Sequence, residues 1–185
     1  MHRNPLKALL DKYNPTDIEE QFAKQRMLDF LDTCTDCFER SCTLGHFTAS
    51  SWLVNSDLSK VLLMHHKKLN LWLQLGGHCD GDNNVMRVSL KEAREESGIN
   101  NIIPLKEDIF DIDMHLIPQI NQESPHYHFD IRFLLKVDGN DDVLANSESN
   151  ALQWFAPEVE VLPTTHSSII RMLNKWNMYK KKYTY

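Results

Sequence analysis

The sequence predicts an α/β protein in which a mixed β-sheet carries helices on both faces and follows an N-terminal helical segment. Helix caps and apolar spacing indicate helices before residue 43. Short runs of branched and aromatic residues indicate strands after it, and one helical pattern interrupts these strands before a last helix. We therefore expect two parts, a helical segment at residues 1–43 packed on a main domain at residues 44–185.

The totals of the chain narrow the classes of function. At 185 residues, with 42% apolar and 25% charged residues, it is long enough for one domain with a sizeable core. A net charge of −6 argues against general binding to nucleic-acid backbones. No apolar run approaches the roughly 20 residues that span a bilayer, and the basic N-terminus lacks the apolar core of a signal peptide. We expect a cytoplasmic protein without membrane partners.

The N-terminal segment carries two helical patterns. Residues 5–13 form a short helix that ends at Asn14-Pro15. Thr16 and Glu19 then match a capping box, and the second helix runs to about Cys37. An apolar stripe for packing on the main domain or across a dimer is predicted from Ile18, Phe22, Met27, Phe30, Leu31 and Cys34.

The main domain begins with strands. Residues 46–54 and 60–66 predict a hairpin, and residues 70–75 form a third extended piece that leads into Gly76 and Gly77. A helix follows at about 84–97, with Gly98 just past its end. Further strands at 108–117, 126–137 and 151–156 precede a last helix at 167–181.

The strand at 126–137 is the strongest in the chain, and its two faces differ. His126, His128, Asp130 and Arg132 share one face because strand side chains alternate. The opposite face is apolar and predicts core. The polar face is a candidate site if it is turned toward a ligand, and otherwise an outward polar surface.

The central helix carries the clearest chemical signal. Glu92, Glu95 and Glu96 stand at i, i+3 and i+4, which places three carboxylates on one helix face. Such a cluster destabilises an isolated helix by repulsion and favours a bound cation. Hard oxygen ligands suit Mg²⁺ or Mn²⁺.

The cysteines leave several interpretations open. Cys34 and Cys37 have CxxC spacing, with Cys42 nearby and Cys79 remote, but no second CxxC completes a four-thiolate zinc site. Reduced thiols near a helix, half of a zinc site and a redox pair all fit this spacing.

The stretch LGGHCDGDNNVMRVSLKEAREESGI, residues 75–99, resembles the signature of the Nudix hydrolases, G-x5-E-x7-R-E-U-x-E-E-x-G-U with U a bulky aliphatic residue. Gly77 falls on the first Gly, and Lys91–Ile99 falls on the closing run without a gap. The resemblance implies a Nudix-type α/β/α sandwich with a mixed sheet over roughly residues 44–180, preceded by the N-terminal helical segment.

Two positions depart from this box. Its first Glu falls on Asn83 and its Arg falls on Lys91, which cannot form the same bidentate ion pair. Asp82 stands one residue earlier and is a candidate to supply the missing carboxylate. Ala93 is small for its position, which changes only packing.

The resemblance implies a metal-dependent hydrolase that cleaves a phosphoanhydride bond by water attack on phosphorus. The substrate would be a nucleoside diphosphate-linked or related small molecule. Glu92, Glu95 and Glu96 would hold Mg²⁺ or Mn²⁺, with the Gly76 carbonyl as a further ligand. Glu92 and Glu96 are the catalytic candidates on the helix, and Glu148, in the loop before the last strand, is a candidate base.

Three basic side chains are candidates to bind the substrate. His78 follows the Gly pair, and His128 and Arg132 lie on the polar face of the long strand. They would contact phosphate or bind a further metal. His46 and His115 carry no information by themselves.

Two alternatives remain beside the hydrolase. The departures at Asn83 and Lys91 keep open a Nudix-fold module that binds a nucleotide without turnover. A solvated acidic helix in an unrelated α/β domain is the other. Substrate choice is expected to depend on residues 1–45 and 138–150, and the oligomeric state is either a monomer or a homodimer.

Overall fold

The computed structural model describes residues 2–119, 124–144 and 149–183. Its helices are α1 (Asn4–Lys12), α2 (Ile18–Thr33), α3 (Val85–Ser97) and α4 (Ser167–Tyr183). Its strands are β1 (Gly45–Val54), β2 (Val61–His66), β3 (Leu71–Leu73), β4 (Leu75–His78), β5 (Ile102–Pro104), β6 (Asp111–Ile117), β7 (His126–Val137) and β8 (Ser149–Phe155). No helix in these ranges is both long and apolar enough to cross a bilayer.

The strands join one sheet. Its described part has eight strands, with the path β3-β2-β1-β7-β5; β4 pairs with β1, β6 with β7, and β8 with β2. The predicted hairpin is confirmed, since β1 and β2 are antiparallel with Val54 opposite Val61. Strand β5 was not predicted, because its three residues are too few to show a period.

Helix α2 begins one residue later than the capping-box prediction. Asp17, and not Thr16, is the N-cap, and its carboxylate accepts from the Glu20 N–H at 2.8 Å. The Glu20 carboxylate in turn accepts from the Thr16 N–H at 2.8 Å and from the Tyr13 hydroxyl. A side-chain cap is therefore present, as predicted, but it lies one position later in the chain. An N-cap of this kind contributes about 1 kcal/mol to the stability of a helix.

At its N-terminal end the predicted apolar stripe of α2 does not pack on the main domain, while packing across a dimer stays a prediction. Ile18 and Phe22 are 75% and 60% exposed. Glu20 is buried instead, because its hydrogen bonds to Tyr13 and Thr16 turn that side of the helix inward. The helix also ends earlier than predicted, at Thr33, since the backbone of the next residue is extended.

The chain divides into two compact units, and β1, β4, β7 and α3 have residues in both. The first unit comprises Met1–Ser50, Gly76–Ser89 and Glu107–Phe133. In it α2 packs on α1 and on β6. Phe30 of α2 stacks on Phe129 of β7 with ring centroids 4.6 Å apart, so the N-terminal helices share an aromatic core with the strands.

The second unit comprises Ser51–Leu75, Leu90–Lys106 and Leu134–Tyr185. Strand β2 is its centre, paired on one side with β3 and on the other with β8. Helix α4 contributes a fully buried apolar side made of Ile169, Met172, Leu173 and Trp176. This matches the amphipathic pattern predicted for the last helix.

Candidate functional site

Glu92, Glu95 and Glu96 form one acidic surface on α3, which we call the carboxylate face. Glu96 is 6% exposed, whereas the side chains of Glu92 and Glu95 are 16% and 60% exposed. Lys91 Nζ lies 3.0 Å from Glu92 Oε1 and 3.2 Å from Glu95 Oε2. Its hydrogen bond to Glu92 raises the pKa of Lys91. The formal charges of these four side chains sum to −2, the charge that one divalent cation would balance.

The ends of α3 are fixed by local chemistry. Asn84 Oδ1 accepts from the Arg87 N–H at 3.0 Å and caps the N-terminus. Gly98 ends the helix with φ +73°, and its N–H donates to the Arg94 carbonyl at 2.9 Å. A Cβ at this position would lie 2.7 Å from Leu144 Cβ, so this Gly of the box is required both for conformation and for space.

The loop at residues 79–84, which we call the box loop, contains Asn83, one of the two departures from the signature; the other, Lys91, lies in α3. Asp82 forms a bidentate ion pair with Arg87, with both N–O distances at 2.7 Å. This carboxylate is therefore engaged by the first turn of α3. Asn83 donates from Nδ2 to the His2 carbonyl at 2.9 Å. The side chain at the position of the missing Glu thus holds the N-terminal segment.

Further contacts join the box loop to the N-terminal segment. Asp80 forms a bidentate ion pair with Arg40 at 2.5 and 2.7 Å. The Gly81 N–H donates to the Phe38 carbonyl at 3.0 Å. The segment therefore braces the loop along its length, although sequence reasoning placed these helices outside the family resemblance.

Gly76 lies in β4, which pairs with β1. Its φ is +157°, and a Cβ there would lie 2.5–2.6 Å from atoms of Ser50. A side chain at this position would collide with the neighbouring strand, so glycine is required. Its carbonyl remains a predicted metal ligand.

Five imidazole rings pack together in the first unit, and we call them the histidine cluster: His46, His78, His115, His126 and His128. The ring of His128 contacts the four others at centroid distances of 4.8–5.4 Å. The structure therefore brings together His78 and His128, both predicted from the sequence. His46 and His115 were not among the site residues predicted from the sequence.

The missed members carry little local signal. His46 lies in β1, whose ten residues are all buried, so alternation does not mark its face. His115 is aligned with His128 only through the antiparallel register of β6 and β7. The sequence does not show which residues of the two strands lie opposite each other. Finding His115 would have required knowledge of this cross-strand pairing.

The central rings of the histidine cluster are neutral at pH 7. Burial lowers the pKa of His46 to about 4, with His126 and Arg40 as further causes. Burial also lowers the pKa of His78 to about 4. For His128, burial followed by repulsion from neighbouring rings lowers the pKa to about 2. Neutral imidazoles keep a lone pair for a proton or a metal.

Arg132 continues the same strand face and is 2% exposed. Its guanidinium donates to Asp130 at 2.8 Å, to Asp111 at 3.1 Å and to Asp113 at 3.2 Å. Burial works to lower the pKa of Arg132, but the three aspartates outweigh it and raise the pKa. The expectation that Arg132 contacts phosphate is therefore withdrawn, because its donors are directed to buried carboxylates.

Asp130 connects this network to β1. Its carboxylate accepts from Ser50 Oγ at 2.6 Å and from Thr48 Oγ1 at 3.0 Å. The remaining catalytic candidate, Glu148, lies outside the described residues.

The cysteines pair differently from the CxxC spacing. Cys34 Sγ lies 3.0 Å from Cys42 Sγ and 3.1 Å from an Asp36 oxygen, while Cys37 is fully buried. Burial raises the pKa of Cys34 to about 12 and that of Cys37 to about 11. All four cysteines are free thiols in the structure, and the pKa values of these two favour the protonated form.

Comparison with known proteins was made at three levels. No protein-family model and no curated protein sequence matches this chain. Solved structures do match. An Ap4A hydrolase from C. elegans, in a binary complex, is 17% identical with a TM-score of 0.57 and covers 74% of this chain and 98% of its own.

Two further structures extend this likeness. A Nudix-family hydrolase from Clostridium perfringens is 22% identical with a TM-score of 0.54, and covers 72% of this chain and 97% of its own. A UDP-X diphosphatase is 16% identical with a TM-score of 0.52, and covers 96% of this chain and 93% of its own. The α/β fold predicted from the sequence is thereby confirmed, and the chain has the fold of the Nudix hydrolases.

Proposed function

We propose that this chain is a metal-dependent hydrolase that cleaves a phosphoanhydride bond in a nucleoside diphosphate-linked or related small molecule. The observation that carries the proposal is the carboxylate face: three glutamates with the spacing of the Nudix box, on α3 of a Nudix fold. The names of two similar structures, an Ap4A hydrolase and a UDP-X diphosphatase, support nucleotide substrates with linked phosphates.

The carboxylate face fits Mg²⁺ or Mn²⁺. Its donors are carboxylate oxygens, which hard divalent cations prefer, and Lys91 leaves a formal charge of −2 for a cation to balance. Glu92, Glu95 and Glu96 would hold the ion, and the resemblance adds the Gly76 carbonyl. When bound, the metal would neutralise the developing charge on the phosphoanhydride oxygens.

The chain must also move one proton. Water attacks phosphorus, the bond from phosphorus to the bridging oxygen breaks, and the leaving phosphate departs with that oxygen. The proton of the attacking water passes to a carboxylate. Glu92 is our first candidate, because Lys91 occupies only its Oε1. Glu148 remains a second candidate, as predicted from the sequence.

The N-terminal helical segment, residues 1–43, would contribute to substrate selection. Its contacts with the box loop through Asn83 and Asp80 support this role.

Three further predictions from the sequence remain. They are a small-molecule substrate, a monomer or homodimer, and a cytoplasmic location.

Turnover tests the proposal directly. The purified chain is screened against nucleoside triphosphates, sugar nucleotides, dinucleoside polyphosphates, nicotinamide and flavin dinucleotides and coenzyme A, with Mg²⁺ and with Mn²⁺. We expect metal-dependent release of a phosphate-bearing product from at least one of them. Nucleotide binding by calorimetry without turnover in either metal would favour the binding module instead.

Glu96→Gln then tests the site. It removes one buried carboxylate charge at constant shape, and we expect kcat/KM to fall at least about 100-fold, because even residues behind metal ligands contribute 10–100-fold. The matched control is Glu107→Gln, an exposed glutamate that we expect to be silent. Full activity of a folded Glu96→Gln protein would overturn the assignment of the carboxylate face.

A further inference from the structure

The histidine cluster has features that the proposed hydrolysis does not use. One nitrogen from each of His46, His78 and His128 lies within 4.8 Å of the other two. In a tetrahedral zinc site with Zn–N bonds of 2.0–2.1 Å, ligand nitrogens stand about 3.3 Å apart. Side-chain rotations that move these atoms by roughly 1 Å would therefore suffice for them to share one ion.

His46 is the most informative of the three. It is 3% exposed, and neither of its ring nitrogens has a hydrogen-bond partner of normal geometry. The nearby Cys42 carbonyl raises its pKa only slightly, and that carbonyl already accepts from the Gly45 N–H. A buried ring without hydrogen-bond partners has lost its hydrogen bonds to water and gained none in return. A metal ion that takes the lone pair of one His46 ring nitrogen would make up for that loss.

Neighbouring groups are placed to support ligation. His126 Nδ1 lies 2.9 Å from the Ser124 carbonyl, which leaves its Nε2 directed at His128 Nε2 at 3.3 Å. His115 Nδ1 lies 3.5 Å from an Asp113 oxygen. Both rings also contact the ring of His128, so these partners help to hold the neighbours of a proposed ligand in place.

The charges around the cluster do not oppose a cation. Arg40 lowers and Asp80 raises the pKa of both His46 and His78. The two side chains also form a bidentate ion pair with each other. The lowered pKa values of His46, His78 and His128 leave these three rings neutral at pH 7. No proton must therefore leave the three nitrogens before a metal binds.

We propose that His46, His78 and His128 form a site for one divalent transition metal of the Zn²⁺ class, separate in chemistry from the carboxylate face. Imidazole nitrogens select zinc, copper, nickel or iron over magnesium, whereas carboxylates favour magnesium and manganese. Three histidines leave a fourth position for water or a ligand oxygen. The proposal does not depend on the hydrolase activity.

Metal binding to the intact chain tests this site. The full protein is freed of metal with a chelator, given one equivalent of Zn²⁺, and studied by X-ray absorption and calorimetry. We expect one tightly bound zinc, with imidazole scattering and nitrogen neighbours at about 2.0–2.1 Å. A first shell of oxygens without imidazole would overturn the proposal, and this measurement needs no variant.

Variants locate the ion. His78→Gln and His128→Gln should each weaken Zn²⁺ binding more than about 100-fold, while His166→Gln, an exposed histidine, and Glu96→Gln should retain it. Circular dichroism confirms that each variant is folded. If His128→Gln does not fold, His78→Gln alone tests the histidine site. Zinc lost with Glu96→Gln but kept with folded His78→Gln would assign the ion to the carboxylates and refute the histidine site.

Discussion

The carboxylate face takes its three residues from five consecutive positions of one helix, whereas the histidine cluster draws its rings from β1, β4, β6 and β7. The first is made of anionic oxygens that are partly exposed, with one lysine beside them. The second offers the neutral nitrogens of His46, His78 and His128, of which His46 is buried and the other two are half-buried. Anionic oxygens select hard cations by charge, and neutral imidazoles select softer ones by lone-pair donation.

The surroundings of the two regions differ as well. Lys91, which neutralises part of the carboxylate face, has an exposed side chain that pairs with Glu92 and Glu95 at the surface. The histidines share their strand face with the buried network of Arg132, Asp130 and Asp111. We therefore expect changes near the histidine cluster to act strongly on stability, and changes at the carboxylate face to act on metal binding and activity.

The largest effect on stability is expected from Arg132→Leu. This variant leaves Asp130, Asp111 and Asp113 without their shared cation, and unfolding free energy should fall by about 3–5 kcal/mol, as for other broken buried ion pairs. Urea denaturation measures it. Arg87→Leu breaks an exposed pair and is the control, with an expected loss below about 1 kcal/mol. Equal losses in the two variants would contradict the contrast between buried and exposed regions.

The pH dependence of stability is expected to be the next largest effect. In the metal-free protein, the pKa of His46 and that of His78 are both about 4, below the ordinary value of 6.5. Between these pH values the unfolded chain binds more protons than the folded one. Unfolding free energy is therefore greatest above pH 6.5 and falls toward pH 4, by at most about 1.4 kcal/mol per pH unit for each ring.

Denaturation at several pH values checks this slope. His126, His128 and the Arg40–Asp80 pair face His46, and none of them is substituted in either variant. His78→Gln should make the slope shallower, because one of the three rings with a lowered pKa no longer titrates, whereas His166→Gln should leave it unchanged. A slope that is the same in all three proteins would show that the buried rings do not control acid stability.

The smallest effect is expected at the carboxylate face itself. Lys91→Met removes the ammonium that competes with a metal for Glu92 and Glu95. Because exposed ion pairs contribute at most about 1 kcal/mol, Mn²⁺ affinity should rise by about two- to fivefold. Calorimetry measures it, with Lys91→Arg as the control that keeps the charge. Weaker Mn²⁺ binding by the Met variant would mean instead that Lys91 positions the glutamates.

The sequence by itself determined the elements and the acidic half of the site. Helix α3, its stop at Gly98 and the shared face of its glutamates follow from contacts within a few residues, so spacing alone reveals them. The alternation of β7 likewise placed His128 and Arg132 on one face. Local periodicity is sufficient wherever the partners of a residue lie within one helix or strand.

Tertiary structure alone decided the rest. His46 and His115 join the cluster through strand pairing, and Arg132 turns to buried aspartates through the register of β6 and β7. Asn83 meets the N-terminal segment 81 positions away in sequence. These contacts join residues far apart in the chain, and no local pattern encodes which strands become neighbours, since pairing is chosen by the packing of the whole core.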